Sequence, residues 1–407
     1  MPRFEPFPGV RYDLTRVDPG EVTAPPYDVL SSADRAALVA RSDRNAVLID
    51  LPVEEDGDGR YHACGGRMQE WLDDGTLVTD DRPSFTIYRM GYTDDLGRSA
   101  HTLGVIGALT LARPGEGEIL PHEETTPKAK SDRLDLLRGT SANLSPIWAL
   151  SLTKGLTDLL HTDAPPLARW TDDDGVEHTI WRVDEPDQVE AISAAVGSSP
   201  VVIADGHHRY ETSLAYRDER RAEEGSGGSA DATMMLVVEL VDDELTVRPI
   251  HRLVRGLPAG TDLAAALEGR GFRPAGSATV ADVADGAVLA ARTEAEAIAV
   301  VGPEGSATLL HPDPDTFAGV ADLDSARVAH ALAGLPDHEV VYQHGTDLIQ
   351  AAVVSGDADA GILLRPATVA QIAANANTGE RMPAKTTFFH PKPKTGIVFR
   401  CMPRSGG

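Results

Sequence analysis

Three features of the sequence predict a mixed α/β (α+β) fold. A short, continuous apolar run at 201–204, the pattern of a buried strand, passes through Asp205 and Gly206 into a segment of helical character at 207–224. Two stretches, 85–92 and 102–111, alternate or run apolar with β-branched residues around a polar turn at 94–98, which reads as a hairpin. From about 259 to 333 the chain is alanine-rich with alternating helix and strand signals, the mark of an additional α/β subdomain.

In chain order, the proline-rich start ends in Ala24-Pro-Pro-Tyr-Asp-Val-Leu-Ser31, where the paired prolines disfavour helix. Ser31 or Ser32 can cap a short helix through Ala40. Ala46-Val-Leu-Ile-Asp-Leu51 reads as a buried strand, and an amphipathic helix follows around 67–72. After the 85–111 hairpin, a polar segment from Leu120 becomes helical through Arg138. Strands are expected at 146–152 and 179–183, a helix at 189–195, and a flexible loop at 225–229. Residues 234–240 and 245–249 suggest a second hairpin. The end, from Arg381 to Gly396, is basic, aromatic and proline-rich. This reading divides the chain into an N-terminal α/β region (1–115), a core region (116–256), an accessory or lid-like subdomain (257–335) and a C-terminal region (336–407) whose basic tail returns to the core.

The 407 residues can bury a sizeable core. A formal net charge of -26 argues against binding nucleic acid or an anionic membrane, since both would be repelled. A small basic pocket can still sit inside an acidic surface. Lysine is scarce. The two cysteines, Cys64 and Cys401, form neither a C-x-x-C pair nor a disulfide framework, which suits a reducing, cytoplasmic setting. No signal-peptide core and no transmembrane run is expected.

The chemistry concentrates at Val201-Val-Ile-Ala-Asp-Gly-His-His-Arg-Tyr-Glu211. The strand delivers Asp205 to its carboxyl end, and Gly206 permits a tight turn. The helix then begins with free N–H groups whose dipole favours an anion. His207, His208 and Arg209 add donors within the first turn. A carboxylate beside such a site suits a phosphate with magnesium, or a phosphate and a hydroxyl to be activated. The plainer alternative makes Asp205 a helix cap and the histidines surface residues. Four polar groups crowded into one turn after an apolar strand favour the site.

Other motifs test weaker. His122-Glu-Glu-Thr-Thr126 lacks the second histidine of a zinc protease. Adjacent His207 and His208 diverge by about 100° on a helix, which disfavours a shared metal. No Walker loop and no G-x-G-x-x-G occurs, and the Asp56–Gly59 loop lacks the glutamate of a calcium hand. A second polar cluster, His122, Glu123, Lys128, Asp132 and Arg133, precedes a helix. Lys385, Lys392 and Lys394 could close over an anion. Tyr27 and Asp28 are either a rigid loop at the site or ordinary turn chemistry.

Pro25-Pro-Tyr-Asp-Val-Leu-Ser31, His122-Glu-x-Thr125, Asp132-Arg-Leu, Ala142-Asn-x-Ser-Pro-Ile147, Ala204-Asp-Gly-His-His-Arg-Tyr-Glu211 and Met382-Pro-x-Lys-Thr-Thr-Phe-Phe-x-Pro-Lys392 with Thr395-Gly396 together resemble the family called domain of unknown function 1015. The resemblance runs in order from about residue 4 to residue 400. Asp205-Gly-His-His-Arg-Tyr-Glu211 is also similar to the phosphate-binding motif of the ParB/sulfiredoxin superfamily, and within it to the free-serine kinases. That similarity implies a ParB/sulfiredoxin-like nucleotide-binding core. It places the phosphates of ATP or ADP on the helix start with His207, His208 and Arg209, beside Gly206; Lys392, and less surely Lys385, are expected to reach the same pocket from the basic C-terminal end. Asp205 would be a Mg2+ ligand, and the acceptor a small molecule with a hydroxyl, such as L-serine. Asp205, His207 and Glu123 are the catalytic candidates, with Glu123 standing for the glutamate base of the serine kinases. Tyr27, Asp28, His122, Arg133 and Asn143 are the candidate substrate contacts. Histidine where sulfiredoxin has cysteine argues against sulfinic-acid reduction, and the arginine-rich ParB form is lacking.

The resulting expectation is a nucleotide-dependent kinase acting on a small molecule, with room for a homodimer. A ParB-type nucleotide switch and a phosphohydrolase are the alternatives.

Overall fold

The computed structural model describes residues 2–403 apart from 55–56, 58, 95–96, 114, 117–118, 122–127, 280–295, 304–305, 379–381 and 384. The chain is mixed α/β, as its alternation of apolar periods dictates. It forms two compact units. The first comprises residues 1–93, 99–245 and 391–407; the second comprises 94–98 and 246–390.

The first unit is built on a nine-stranded mixed sheet. Across it lie Ile119–Pro121, Val201–Asp205, Ile147–Ser151, Ala232–Glu239, Ser99–Thr110, Phe85–Thr93, Glu177–Val183 and Ala168–Thr171, with Phe4–Glu5 pairing against Ser99–Thr110. Phe85–Thr93 and Ser99–Thr110 pair antiparallel around the polar turn, as the alternation predicts. Val201–Asp205 is parallel to Ile119–Pro121 and antiparallel to Ile147–Ser151. The core on one face joins Phe85, Val105, Ile147, Ile192, Val201, Ile203 and Met235, all essentially without solvent exposure. Helix Ser32–Arg41 opens on the expected capping box: the Ser31 hydroxyl accepts from the Asp34 N–H while the Asp34 carboxylate accepts from the Ser31 N–H. Arg60–Asp73, Lys128–Thr140, Pro186–Gly197 and His207–Glu224 are the other long helices of this unit.

Two local expectations are corrected. Residues 46–51 form not a strand but the helical turn Val47–Asp50. The cause lies one residue upstream: the Asn45 side-chain oxygen accepts from the Val47 N–H at 3.0 Å, and its amide donates to the Glu21 and Thr23 carbonyls at 2.8 and 3.2 Å. This Asx-type bond from side chain to main chain starts the turn and overrides the β-branched content. Nor do 234–240 and 245–249 pair as a hairpin. Ala232–Glu239 is a central strand between Ser99–Thr110 and Ile147–Ser151, because Met234 to Val238 carry side chains that must be buried on both faces. Thr246–Pro249 instead pairs with Thr387–His390 in the second unit.

The second unit holds a six-stranded antiparallel sheet, ordered Phe272–Thr279, Ser306–Pro312, Ile298–Val301, Ala360–Leu363, His251–Arg255, Glu339–Gln343. Val254, Leu267, Ile298, Leu310, Val328 and Ile362 form the core on one side; Leu253, Ala299, Ile349 and Val353 pack on the other.

Candidate functional site

The Val201–Asp205 strand runs apolar and buried to Ala204, and then its register against Ile147–Ser151 slips: Ile203 faces Ala149 but Asp205 faces Trp148. Two residues thus oppose one, a bulge that turns Asp205 out of the sheet alternation. Gly206 follows at φ 91, a left-handed conformation that L side chains adopt at a cost. A Cβ there would also lie 2.9 Å from the Arg209 guanidinium. Glycine is required twice over. Helix His207–Glu224 starts at once, with no side chain capping its first N–H groups.

Asp205 is held between two cations. Arg209 Nη2 donates to Oδ2 at 3.0 Å, and Lys392 Nζ pairs with Oδ1 from 187 residues away. Burial alone would raise the Asp205 carboxyl, but Lys392, Arg209 and His207 outweigh it and hold it well below the usual carboxylate range. Arg209 in turn donates through Nη1 to Ser145 Oγ at 3.0 Å and the Pro146 carbonyl at 2.7 Å. Burial opposes the charge on Arg209, but Asp205, Asp28, Tyr27 and Asp50 outweigh that and keep it protonated. His207 is buried in the first turn, and His208 half-buried beside it.

The segment that brings Lys392 is fixed at several points. Lys394 Nζ meets Asp172 at 2.6 Å, Thr395 exchanges two backbone hydrogen bonds with Ala24, and its hydroxyl donates to Asp50 Oδ2 at 3.2 Å. Gly396 sits at φ 99 with its missing side chain against Ala46, Tyr12 and Thr23. Lys385 belongs to the second unit, at φ 59. Phe389 is buried in that unit's Thr387–His390 strand.

Beside Arg209 opens a cleft of about 410 Å3, whose polar lining includes Asp50, Arg133, Asn143, Ser145 and Thr212. Arg133 is buried with its guanidinium 4.1 Å above the Tyr27 ring centroid. It donates to the Asp50 carbonyl at 2.7 Å and to Asp132 Oδ2 at 2.8 Å. Burial raises the Asp50 carboxyl above its ordinary value against the pull of Arg133, Arg209 and Thr395. Tyr27 and Asp28 sit in a 3-10 turn, Tyr27–Val29, directly after the two prolines. The Asn143 side-chain oxygen accepts from the Met234 N–H at 3.1 Å and from Arg400 at 3.2 Å. The structure therefore gathers Tyr27, Arg133, Asp205, Gly206, Arg209 and Lys392 in one unit, with Asn143 on the cleft wall. His122 and Glu123 lie outside the described residues.

Sequence reasoning missed Asp50, Ser145 and Thr395. Asp50 was hidden in an apolar string. Ser145 did stand in the Ala142–Ile147 motif, and Thr395 beside Lys394, but neither carries a signal of its own.

The arrangement suits a phosphate group: a helix start that no side chain caps, three basic side chains in one turn, and a lysine from residue 392. For a divalent cation, no group of three or more metal-ligating side chains occurs among the described residues. Mg2+ held through one carboxylate and a ligand's own phosphates needs no such cage. Among the described residues no helix is long and apolar enough to cross a membrane.

Among curated proteins none matches the sequence. Several solved structures match at 14–15% identity over 70% of this chain. A conserved hypothetical protein from Pyrococcus furiosus is covered over 92% of its length with a TM-score of 0.36. A free serine kinase in complex with AMP is covered over 88%, also at 0.36. SbnI with a C-terminal truncation, from Staphylococcus aureus, is covered over 82%, again at 0.36. Superposition at that level decides neither fold nor function. A family model does decide membership: it matches residues 4–326, and the chain accordingly belongs to the family described as protein of unknown function, DUF1015.

Proposed function

We propose that this protein is a nucleotide-dependent phosphotransferase that moves the terminal phosphoryl group of ATP or ADP to the hydroxyl of a small molecule, with free L-serine the first acceptor to test. The observation that carries this reading is the Asp205–Arg209 turn: a bulged strand end, a left-handed glycine and an uncapped helix start, with Lys392 and Arg209 converging on one carboxylate. The likeness of that segment to the ParB/sulfiredoxin-type motif agrees with it.

In this reading the phosphates lie on the first N–H groups of the His207–Glu224 helix, flanked by His207, His208 and Arg209. Lys392 neutralises charge that builds on the transferred group. Mg2+, bound through the phosphates with Asp205 as its protein ligand, would supply further neutralisation. The acceptor oxygen bonds to phosphorus, the bond to the leaving phosphate oxygen breaks, and the hydroxyl proton passes to a carboxylate. Asp205 suits the metal and the cations better than the proton, because a carboxyl held so acidic is a poor base near neutral pH. Glu123 and Asp50 are left for proton acceptance, and the raised Asp50 carboxyl on the cleft wall has the proton affinity the role needs. Tyr27, Asp28, His122, Arg133 and Asn143 are assigned to the acceptor.

The test is nucleotide loss measured with and without added amino acid. Loss that depends on serine or another hydroxyl compound supports the kinase. Loss without an acceptor identifies a hydrolase, and saturable binding without loss a nucleotide switch; either result overturns the reading.

A further inference from the structure

Lys392 reaches Asp205 from a segment whose backbone has little freedom. Pro393 fixes its own φ and confines Lys392 to extended conformations, so the placement of Lys394 is passed on to Lys392. Lys394 is buried, and a closed cycle of hydrogen bonds begins and ends on it. Its Nζ meets Asp172 Oδ2 at 2.6 Å. The same oxygen lies 3.0 Å from His178 Nε2, and His178 Nδ1 lies 2.8 Å from the Tyr88 hydroxyl. The Tyr88 oxygen then accepts the Lys394 main-chain N–H at 3.4 Å. The cycle is built on the large sheet. His178 sits opposite Met90 in the register, which makes it a diagonal neighbour of Tyr88 on the same face, and neither residue is exposed to solvent. Asp172 directly follows the strand Ala168–Thr171, where its Oδ1 accepts from the Asp174 and Val176 N–H groups at 3.0 and 2.9 Å.

The direction of each bond follows from the charges. Burial would raise the Asp172 carboxyl, but hydrogen bonds from His178 and Lys394 outweigh it and hold it well below the usual carboxylate range, so it only accepts. Burial pushes the His178 imidazole down from its ordinary value, against the pull of Asp172. A neutral imidazole facing that carboxylate carries its hydrogen on Nε2 and leaves Nδ1 bare for the Tyr88 O–H. Every link of the cycle then joins one donor to one acceptor. We propose that Tyr88, His178 and Asp172 are positioning residues, which hold Lys392 on Asp205 by closing this cycle around Lys394. Their bearing on phosphoryl transfer rests on the phosphotransferase reading; their hold on Lys392 does not.

The test is acylation of lysine amines in the full chain by a short pulse of acetic anhydride, without nucleotide, each site being located by mass spectrometry. The exposed Lys154 serves as internal standard. In the parent, Lys392 should react slowly, because its side chain keeps 12% of its exposure and is paired with Asp205. In Asp172→Asn its rate should rise about ten-fold relative to Lys154, since losing one charge-assisted bond shifts the local opening of the segment by that order. Tyr88→Phe keeps the aromatic ring, opens the cycle and should raise the rate by a smaller factor. Asp172→Asn leaves Lys394 buried without its partner and can unfold the chain. The double variant Asp172→Asn with Lys394→Met leaves neither charge uncompensated; it should fold and still release Lys392. A pair that served the fold alone would give parent-like labelling there. Long-range 1H–15N spectra should also show His178, assigned by the signals lost in His178→Gln, protonated on Nε2 alone near neutral pH. Parent-like labelling of Lys392 in the double variant, or a hydrogen on His178 Nδ1, overturns the proposal. Neither result depends on whether the chain binds ATP or ADP, so a failure here is separate from a failure of the phosphotransferase reading.

Discussion

Replacing Lys392 by methionine keeps much of the side chain's length and apolar stem while removing the charge that meets Asp205. Removing one partner of a buried ion pair costs about 3–5 kcal/mol, because the other charge is left uncompensated. Two features of this site reduce that figure. The Asp205 and Lys392 side chains retain 16% and 12% of their exposure, and Asp205 keeps its 3.0 Å bond to Arg209. A loss of roughly 1–3 kcal/mol at neutral pH is therefore expected, a fall in Tm of about 2–4 °C per kcal/mol. The pH dependence follows from the depressed Asp205 carboxyl. Its contribution is fully present above the unfolded carboxylate value, near 4, and is lost as pH falls toward the folded value. The gap between parent and Lys392→Met, measured by urea titration from pH 7 to pH 3, should narrow on acidification. A gap within error at pH 7, or one that widens as pH falls, would refute the argument that the pair stabilises the fold.

Three further outcomes follow from the same geometry. Arg209→Ala strands the Pro146 carbonyl and leaves Asp205 on Lys392 alone, so denaturant titration should show a loss of about 2–4 kcal/mol; calorimetry on the folded fraction should show phosphate-ligand affinity down by about 1.5–3 kcal/mol. Gly206→Ala forces a Cβ into the left-handed region and against Arg209, costing about 1–2 kcal/mol from the backbone alone, checked by thermal melts. Glu244, buried where its carboxylate accepts from the Leu103 N–H at 2.7 Å, is pushed up to about 7, chiefly by burial and further by Glu239. Between the unfolded value and 7 the native state binds the extra proton, so stability declines as pH rises through that window and levels off above it. Glu244→Gln should remove the decline, exceeding the parent at pH 8 by on the order of 3 kcal/mol and matching it near pH 4.

Local signals were legible where one period or one turn decides the structure. The Ser31 cap, the 85–110 hairpin and the strand–turn–helix at Asp205 all follow from residues within reach of one another. The return of Lys392 could be read because only six lysines occur and half fall within ten residues. What stayed hidden depends on distant partners. Ala46-Val-Leu-Ile looks like a strand until Asn45 is seen anchored to carbonyls of residues 21 and 23. The partner of 245–249 lies some 140 residues on, and no alternation announces a pairing at that separation. Arg209 is fixed by a main-chain carbonyl, which has no sequence signature at all.

The central claim is that the Asp205–Arg209 turn with Lys392 is a nucleotide-phosphate site, and calorimetric titration of the full chain with ATP and with ADP, each with Mg2+, tests it most directly. The account predicts saturable one-to-one binding of at least one of them, weakened at least ten-fold in both Arg209→Ala and Lys392→Met, a loss of about 1.4 kcal/mol or more. No heat with either nucleotide, or binding that neither variant disturbs, would contradict it.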